Sequence, residues 1–330
     1  MHTGLKVGIF ATALAATFGS AYGVGKAVGP VMPAAPAAQH AGHTAQNGHT
    51  SGAAAPGGLQ IAEGGYTLDL KTPAVTAGTP AELRFAVVDD RTGRPVTAYR
   101  RAHGKELHFI VASRDLTVFR HLHPRRAADG TWSTPVDLPT AGDYRVFADF
   151  APDGAKEGLT LGADLAAAGA YRPAEAPRPA ATAEVDGYRV TLDGALRPGE
   201  PGALTLRVTK DGKPVTDLQP YLGAYGHLVA LRSGDLAYLH VHPNGEPGDG
   251  KTPAGPEISF TATAPSAGTY RLFLDFQHQG TVRTAAFTVR VAGAAGDAGA
   301  GHGAGADGAA DGNHKGADGD HQEVGGDHQH

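Results

Sequence analysis

The stretches HFIVASRDLTVFRHLHP at residues 108–124 and HLVALRSGDLAYLHVHP at residues 227–243 decide the fold. They align without a gap at a constant offset of 119, and the alignment runs from 93–124 onto 212–243. Gly-Arg-Pro-Val-Thr at 93–97 meets Gly-Lys-Pro-Val-Thr at 212–216, and Ala-Gly-Asp-Tyr-Arg-Val-Phe-Ala-Asp-Phe at 141–150 meets Ala-Gly-Thr-Tyr-Arg-Leu-Phe-Leu-Asp-Phe at 267–276. Such a duplication implies two domains of one fold.

Within the 17-residue pair only four positions are identical: His108/His227, His121/His240, His123/His242 and Pro124/Pro243. The apolar positions have drifted among Phe, Ile, Val, Leu and Ala, as packing permits. Outward from these stretches the chain alternates, as in Tyr66-Thr67-Leu68-Asp69-Leu70 and Leu83-Arg84-Phe85-Ala86-Val87. Period-two alternation with regular turn signals predicts antiparallel β-sandwiches with almost no helix. The expected architecture is all-β: two tandem Ig-like or cupredoxin-like sandwiches at 60–170 and 184–293, joined by a Pro/Ala-rich linker at 171–183.

The flanks read differently. Lys6, an uncharged apolar run from Val7 to Gly25, and Lys26 predict an N-terminal hydrophobic helix over 1–26, either a signal peptide or a membrane anchor. Both fates place the rest outside the cytoplasm. Residues 27–59, with His40, His43 and His49, and the Gly/Ala/Asp/His tail 294–330 lack the apolar surface to offset chain entropy and are expected to be disordered. The tail histidines His302, His314, His321, His328 and His330 could capture Zn, Cu or Ni loosely, or belong to a solvating acidic tail.

Composition narrows the chemistry. The net charge is −5 with no dense basic patch, so nucleic acid is an unlikely partner by charge. There is no cysteine, and the only methionines are Met1 and Met32, which excludes thiolate sites and leaves no thioether near the histidines. Any metal must be held by imidazole and carboxylate.

The histidine spacing suits that purpose. With two-residue turns at Arg114-Asp115 and Ser233-Gly234, His108 would oppose His121 and His227 would oppose His240. His123 and His242 would follow on the same face, about 7 Å along the strand. The expected metal ligands are His108, His121 and His123 in the first repeat, and His227, His240 and His242 in the second. Asp149 and Asp275 interrupt apolar strands at equivalent places and are candidates to ligate, to orient a ring, or to face solvent. His278 lacks a counterpart and is expected at the surface, and His103 likewise lacks a counterpart. Affinity should fall as pH drops through about 6.5, the ordinary imidazole value.

The His…His-x-His-Pro hairpin followed by Tyr-Arg-x-Phe-x-Asp-Phe resembles tandem-domain secreted or membrane-anchored proteins of high-GC bacteria, and distantly the YtkA/FixH and cupredoxin-like groups. The resemblance implies a β-sandwich and heavy-metal handling, although a blue-copper centre would need the Cys and Met that this chain lacks. The expected function is extracytoplasmic binding of Cu(II), in preference to Zn or Ni, with one site per repeat, for buffering, resistance or delivery to a membrane-bound metal-handling partner. Two alternatives remain: a surface interaction module with structural histidines, and a three-histidine zinc hydrolase. No paired general base, nucleophile elbow or cofactor loop favours an enzyme.

Overall fold

The computed structural model describes residues 56–239 and 241–293, with the backbone alone at His242. The expected N-terminal helix, most of the 27–59 linker and the tail lie outside the described residues. Among the described residues there is no helix, so none is long and apolar enough to cross a membrane.

Each repeat is a two-sheet sandwich. In the first, the outer sheet runs Ala62–Glu63, Tyr66–Leu70, Ala81–Asp89, Trp132–Val136, Arg125–Arg126. The inner sheet runs Ala74–Thr76, Leu159–Ala168, Gly142–Pro152, Leu107–Ser113, Phe119–Leu122. In the second, the outer sheet is Thr182–Val185, Tyr188–Asp193, Pro201–Lys210, Glu257–Thr263, Val241–Pro243, and the inner sheet is Tyr238–Leu239, Gly226–Arg232, Gly268–His278, Thr281–Val291. The ladders are antiparallel except that Ala74–Thr76 pairs parallel with Leu159–Ala168.

Alternation builds the two cores. Leu83, Phe85 and Val87 point into the first core, where Phe85 stacks on Phe109 at 4.3 Å. Val190, Leu206, Phe260 and Leu272 occupy the second. The strand Leu107–Ser113 departs from half-buried alternation, because all seven residues are buried. Leu107, Phe109 and Val111 face their own core. Ile110 and Ala112 instead join Phe119, Phe147, Val229, Leu231 and Phe273 in a third cluster that lies between the repeats. Phe119 and Phe273 stack across this seam at 4.0 Å. The inner sheets therefore cover one another, and the histidines share the covered face.

The hairpin loops are longer than the sequence suggests. Ser113 N donates to Val118 O, leaving Arg114–Thr117 as a four-residue loop, and Arg232 N donates to Ala237 O around Ser233–Leu236. Asp115 takes hydrogen bonds from Thr117 N and from the Ser113 and Thr117 hydroxyls. Leu116 and Leu236, each at positive φ, are buried in the seam. Burial of these leucines, together with the aspartate side-chain turn, wins over the two-residue Arg-Asp and Ser-Gly turns.

Residues 56–59 are not a free tether. Gly57 bridges to Tyr238 in the second repeat, while Gly58 N donates to Thr160 O in the first at 2.7 Å. Arg145 Nε clamps Gly58 O at 2.8 Å. The strap fits because residue 162 is glycine: a Cβ there would stand 2.1 Å from Gly58 O.

Candidate metal centre

The first hairpin pairs Ile110 with His121 and Phe109 with Leu122. Continued by one residue, that register sets His108 opposite His123, not opposite His121 as the shorter turn implied. The shift is two residues, so parity survives and the three rings stay on one face. His108, His121 and His123 each offer a nitrogen within 4.8 Å of the others.

The network fixes the tautomers. His108 Nε2 lies 3.2 Å from Ala102 O, which can only accept, so this nitrogen carries the proton. His121 Nδ1 lies 2.8 Å from Asp275 Oδ2 and donates to that carboxylate. Asp275 Oδ1 is in turn held by the Thr284 hydroxyl at 2.5 Å. The remaining nitrogens, His108 Nδ1 and His121 Nε2, face each other at 3.1 Å. Two ligands about 2.1 Å from one ion, roughly 95° apart, would stand about that far from one another. His123 Nε2 is buried with no hydrogen-bond partner, an arrangement that is costly unless something binds it.

The electrostatics favour neutral rings. Burial pulls His108 down to about 3, with the neighbouring imidazole of His121 adding to the effect. Burial likewise pulls His123 and His227 down to about 4, and His121 and Lys105 also lower His123. Metal-binding imidazole must be deprotonated, so if His108 and His123 held an ion, protons would compete for them only near about 3 to 4 and not at the expected 6.5.

Among the described residues, the backbone of the second repeat takes a different path. Its ladder pairs Ala230 with Leu239 and Leu231 with Tyr238, and then Val241–Pro243 crosses to the outer sheet, where His242 pairs with Thr261. The backbone at His242 therefore lies in the outer sheet, while His227 stays in the inner one. His240 lies outside the described residues. His227 joins the first repeat's cluster instead, its ring 5.8 Å from His108 and 6.0 Å from His121, with Nε2 to Leu222 O at 3.1 Å.

The two aspartates also differ. Asp275 is 3 % exposed and serves His121 of the other repeat. Asp149 accepts the Thr160 hydroxyl at 3.3 Å, and burial raises its carboxyl above the usual range. His103 is exposed, and its ring lies 5.0 Å from His227 and 6.1 Å from His108 at the rim of the cluster. His278 is not at the surface. It is 5 % exposed and sits between the Tyr188 hydroxyl at 2.7 Å and Asp217 at 3.0 Å. Sequence reasoning missed the place of His103 beside the cluster and the exchange of a carboxylate between repeats. The available signal was the strand 107–113, apolar on both faces, which needs a second covering surface.

A family model described as a domain of unknown function, DUF8832, matches residues 60–165 and again residues 183–293. The chain belongs to this family. No curated protein matches this tandem DUF8832 chain. Solved structures similar to it include the Escherichia coli adhesin FdeC, at 14 % identity over 69 % of this chain and 64 % of that one, with a TM-score of 0.22. The Yersinia pseudotuberculosis adhesin InvE gives 13 % over 68 % and 58 %, TM-score 0.21. Invasin, a bacterial integrin-binding protein, gives 15 % over 71 % and 41 %, TM-score 0.21. The DUF8832 chain thus spans less than two thirds of each of these chains, and TM-scores this low carry no argument. No match supports the YtkA/FixH or cupredoxin resemblance.

Proposed function

We propose that this protein binds one transition-metal ion, Cu(II) in preference to Zn or Ni, in a centre composed by both repeats. His108, His121 and His123 are the ligands, His227 stands as an adjoining imidazole, and Asp275 orients His121. The observation that carries this reading is the pair of facing ring nitrogens, His108 Nδ1 and His121 Nε2, 3.1 Å apart with both outer nitrogens already donating. Two lone pairs at that distance repel, and a cation between them turns the repulsion into coordination. Neutral imidazoles without sulfur suit Cu(II) most by affinity order. The physiological role is buffering, resistance or delivery outside the cytoplasm, a placement that rests on the apolar run Val7–Gly25.

A second reading is a surface interaction module with structural histidines. The observation in its favour is that His108, His121 and His227 each already hold a protein hydrogen bond. A proton on His121 Nε2, shared with His108, would close the network without an ion. Calorimetric titration of tail-free protein, residues 56–293, with Cu(II) and Zn(II) separates the two. One tight equivalent per chain, lost in His121→Ala/His123→Ala, supports the metal reading. Absence of binding at neutral pH leaves the structural one.

A further inference from the structure

Two copies of one tight turn flank the histidine centre. In the first repeat Ala102 and Lys105 exchange backbone hydrogen bonds around His103 and Gly104, and in the second Tyr221 and Ala224 do so around Leu222 and Gly223. The backbones match closely: φ is 50° and 76° in the first, 54° and 76° in the second. They also meet, since a Cβ at Gly223 would lie 3.8 Å from His103 Cα.

Their chemistry is opposite. The first turn reads Arg100-Arg101-Ala102-His103-Gly104-Lys105-Glu106, while its duplicate reads Gln219-Pro220-Tyr221-Leu222-Gly223-Ala224-Tyr225. Only one copy carries charge, and packing does not ask for it, because Arg100 and Arg101 are exposed. A cavity of about 360 Å³ opens beneath the charged turn, with His108 in its wall. Arg100, Arg101, His103 and Lys105 line it together with two acids, Glu106 and Asp149. Glu106 is neutralised by Arg126 at 3.2 Å. Asp149 accepts the Thr160 hydroxyl at 3.3 Å. Arg100 donates to Lys156 O at 3.5 Å, and Arg101 and Lys105 line a space that ends at the histidine centre.

We infer that this cavity binds a small dicarboxylate anion beside His108, gripped by Arg101 and Lys105 with Arg100 at the rim. Guanidinium and ammonium groups around a recess favour carboxylate by charge-assisted hydrogen bonds. The inference goes beyond the metal reading and does not depend on it: the cations act whether or not the imidazoles hold an ion.

The test uses metal-free full chain and oxalate as the probe, by calorimetry at low ionic strength, with the ring signals of His103 and His108 followed by NMR. One oxalate per chain is expected, with both ring signals moving. Arg101→Gln/Lys105→Gln should weaken binding at least tenfold, whereas Arg84→Gln/Arg189→Gln, which removes two distant surface cations, should leave it within about twofold. Equal weakening in both double variants would reduce the effect to net charge and overturn the inference, as would absence of oxalate binding. A separate Cu(II) titration judges the metal reading alone: oxalate binding without Cu(II) binding retires that reading and keeps the anion site, and the converse does the reverse.

Discussion

The two hairpins started from one sequence and now do different work. In the first, the ladder between Leu107–Ser113 and Phe119–Leu122 runs far enough to carry His121 onto the seam. In the second, it ends at Leu239, and Val241–Pro243 leaves for the outer sheet. The first hairpin holds the three proposed ligands, and the second repeat sets His227 beside the cluster and Asp275 behind His121. Conserving a residue type through duplication does not conserve its strand pairing, since the backbone at His242 joins the outer sheet.

The largest effect that would break this comparison comes from the ligands. His121→Ala/His123→Ala should lower Cu(II) affinity by about a thousandfold or more, as expected when two of three ligands are lost. His242→Ala should stay within about threefold. Competition titration against a chelator measures both, and equal losses would restore a symmetric pair of sites.

The seam comes next. Phe273→Ala removes the partner stacked on Phe119 and should cost roughly 3 to 5 kcal/mol in urea unfolding. It should also weaken Cu(II) binding, though it touches no ligand of the first repeat. An unchanged affinity would mean that the first repeat binds alone.

Asp275→Asn tests the exchange itself. Loss of an orienting carboxylate typically costs about 10- to 100-fold in metal affinity. Asp149→Asn, its equivalent by sequence, should cost less than about threefold, since Asp149 holds Thr160 and not a triad ring.

The smallest effect is on pH dependence. His108, His123 and His227 have folded values of about 3, 4 and 4, below the ordinary 6.5. The unfolded chain therefore takes up protons first, and apo stability should fall as pH drops from about 6.5 toward 4. Changing His227 to Gln should flatten that slope by nearly one proton. A slope unchanged by the substitution would show that His227 titrates normally.

Much of this was legible in the sequence. Alternation gave the sandwiches, and parity gave the common face of His108, His121 and His123 despite a loop two residues longer than expected, because an even slip keeps every side chain on its side. The aspartates stood out as charges in apolar strands. The seam was hidden because Ile110 and Phe119 look the same whether they line a core or another domain. The departure of Val241–Pro243 was hidden too, since the choice between two sheet edges depends on non-local pairing that seventeen residues do not encode.

The strap at Gly57–Gly58 sets how the molecule would bear a load. It is stitched to Tyr238 on one side and to Thr160 and Arg145 on the other. A pull on the chain N-terminal to it reaches both sandwiches together, at the line where they meet. Force would then prise at the join before peeling a strand from either sheet, and the histidine centre would sit on the first surface to part.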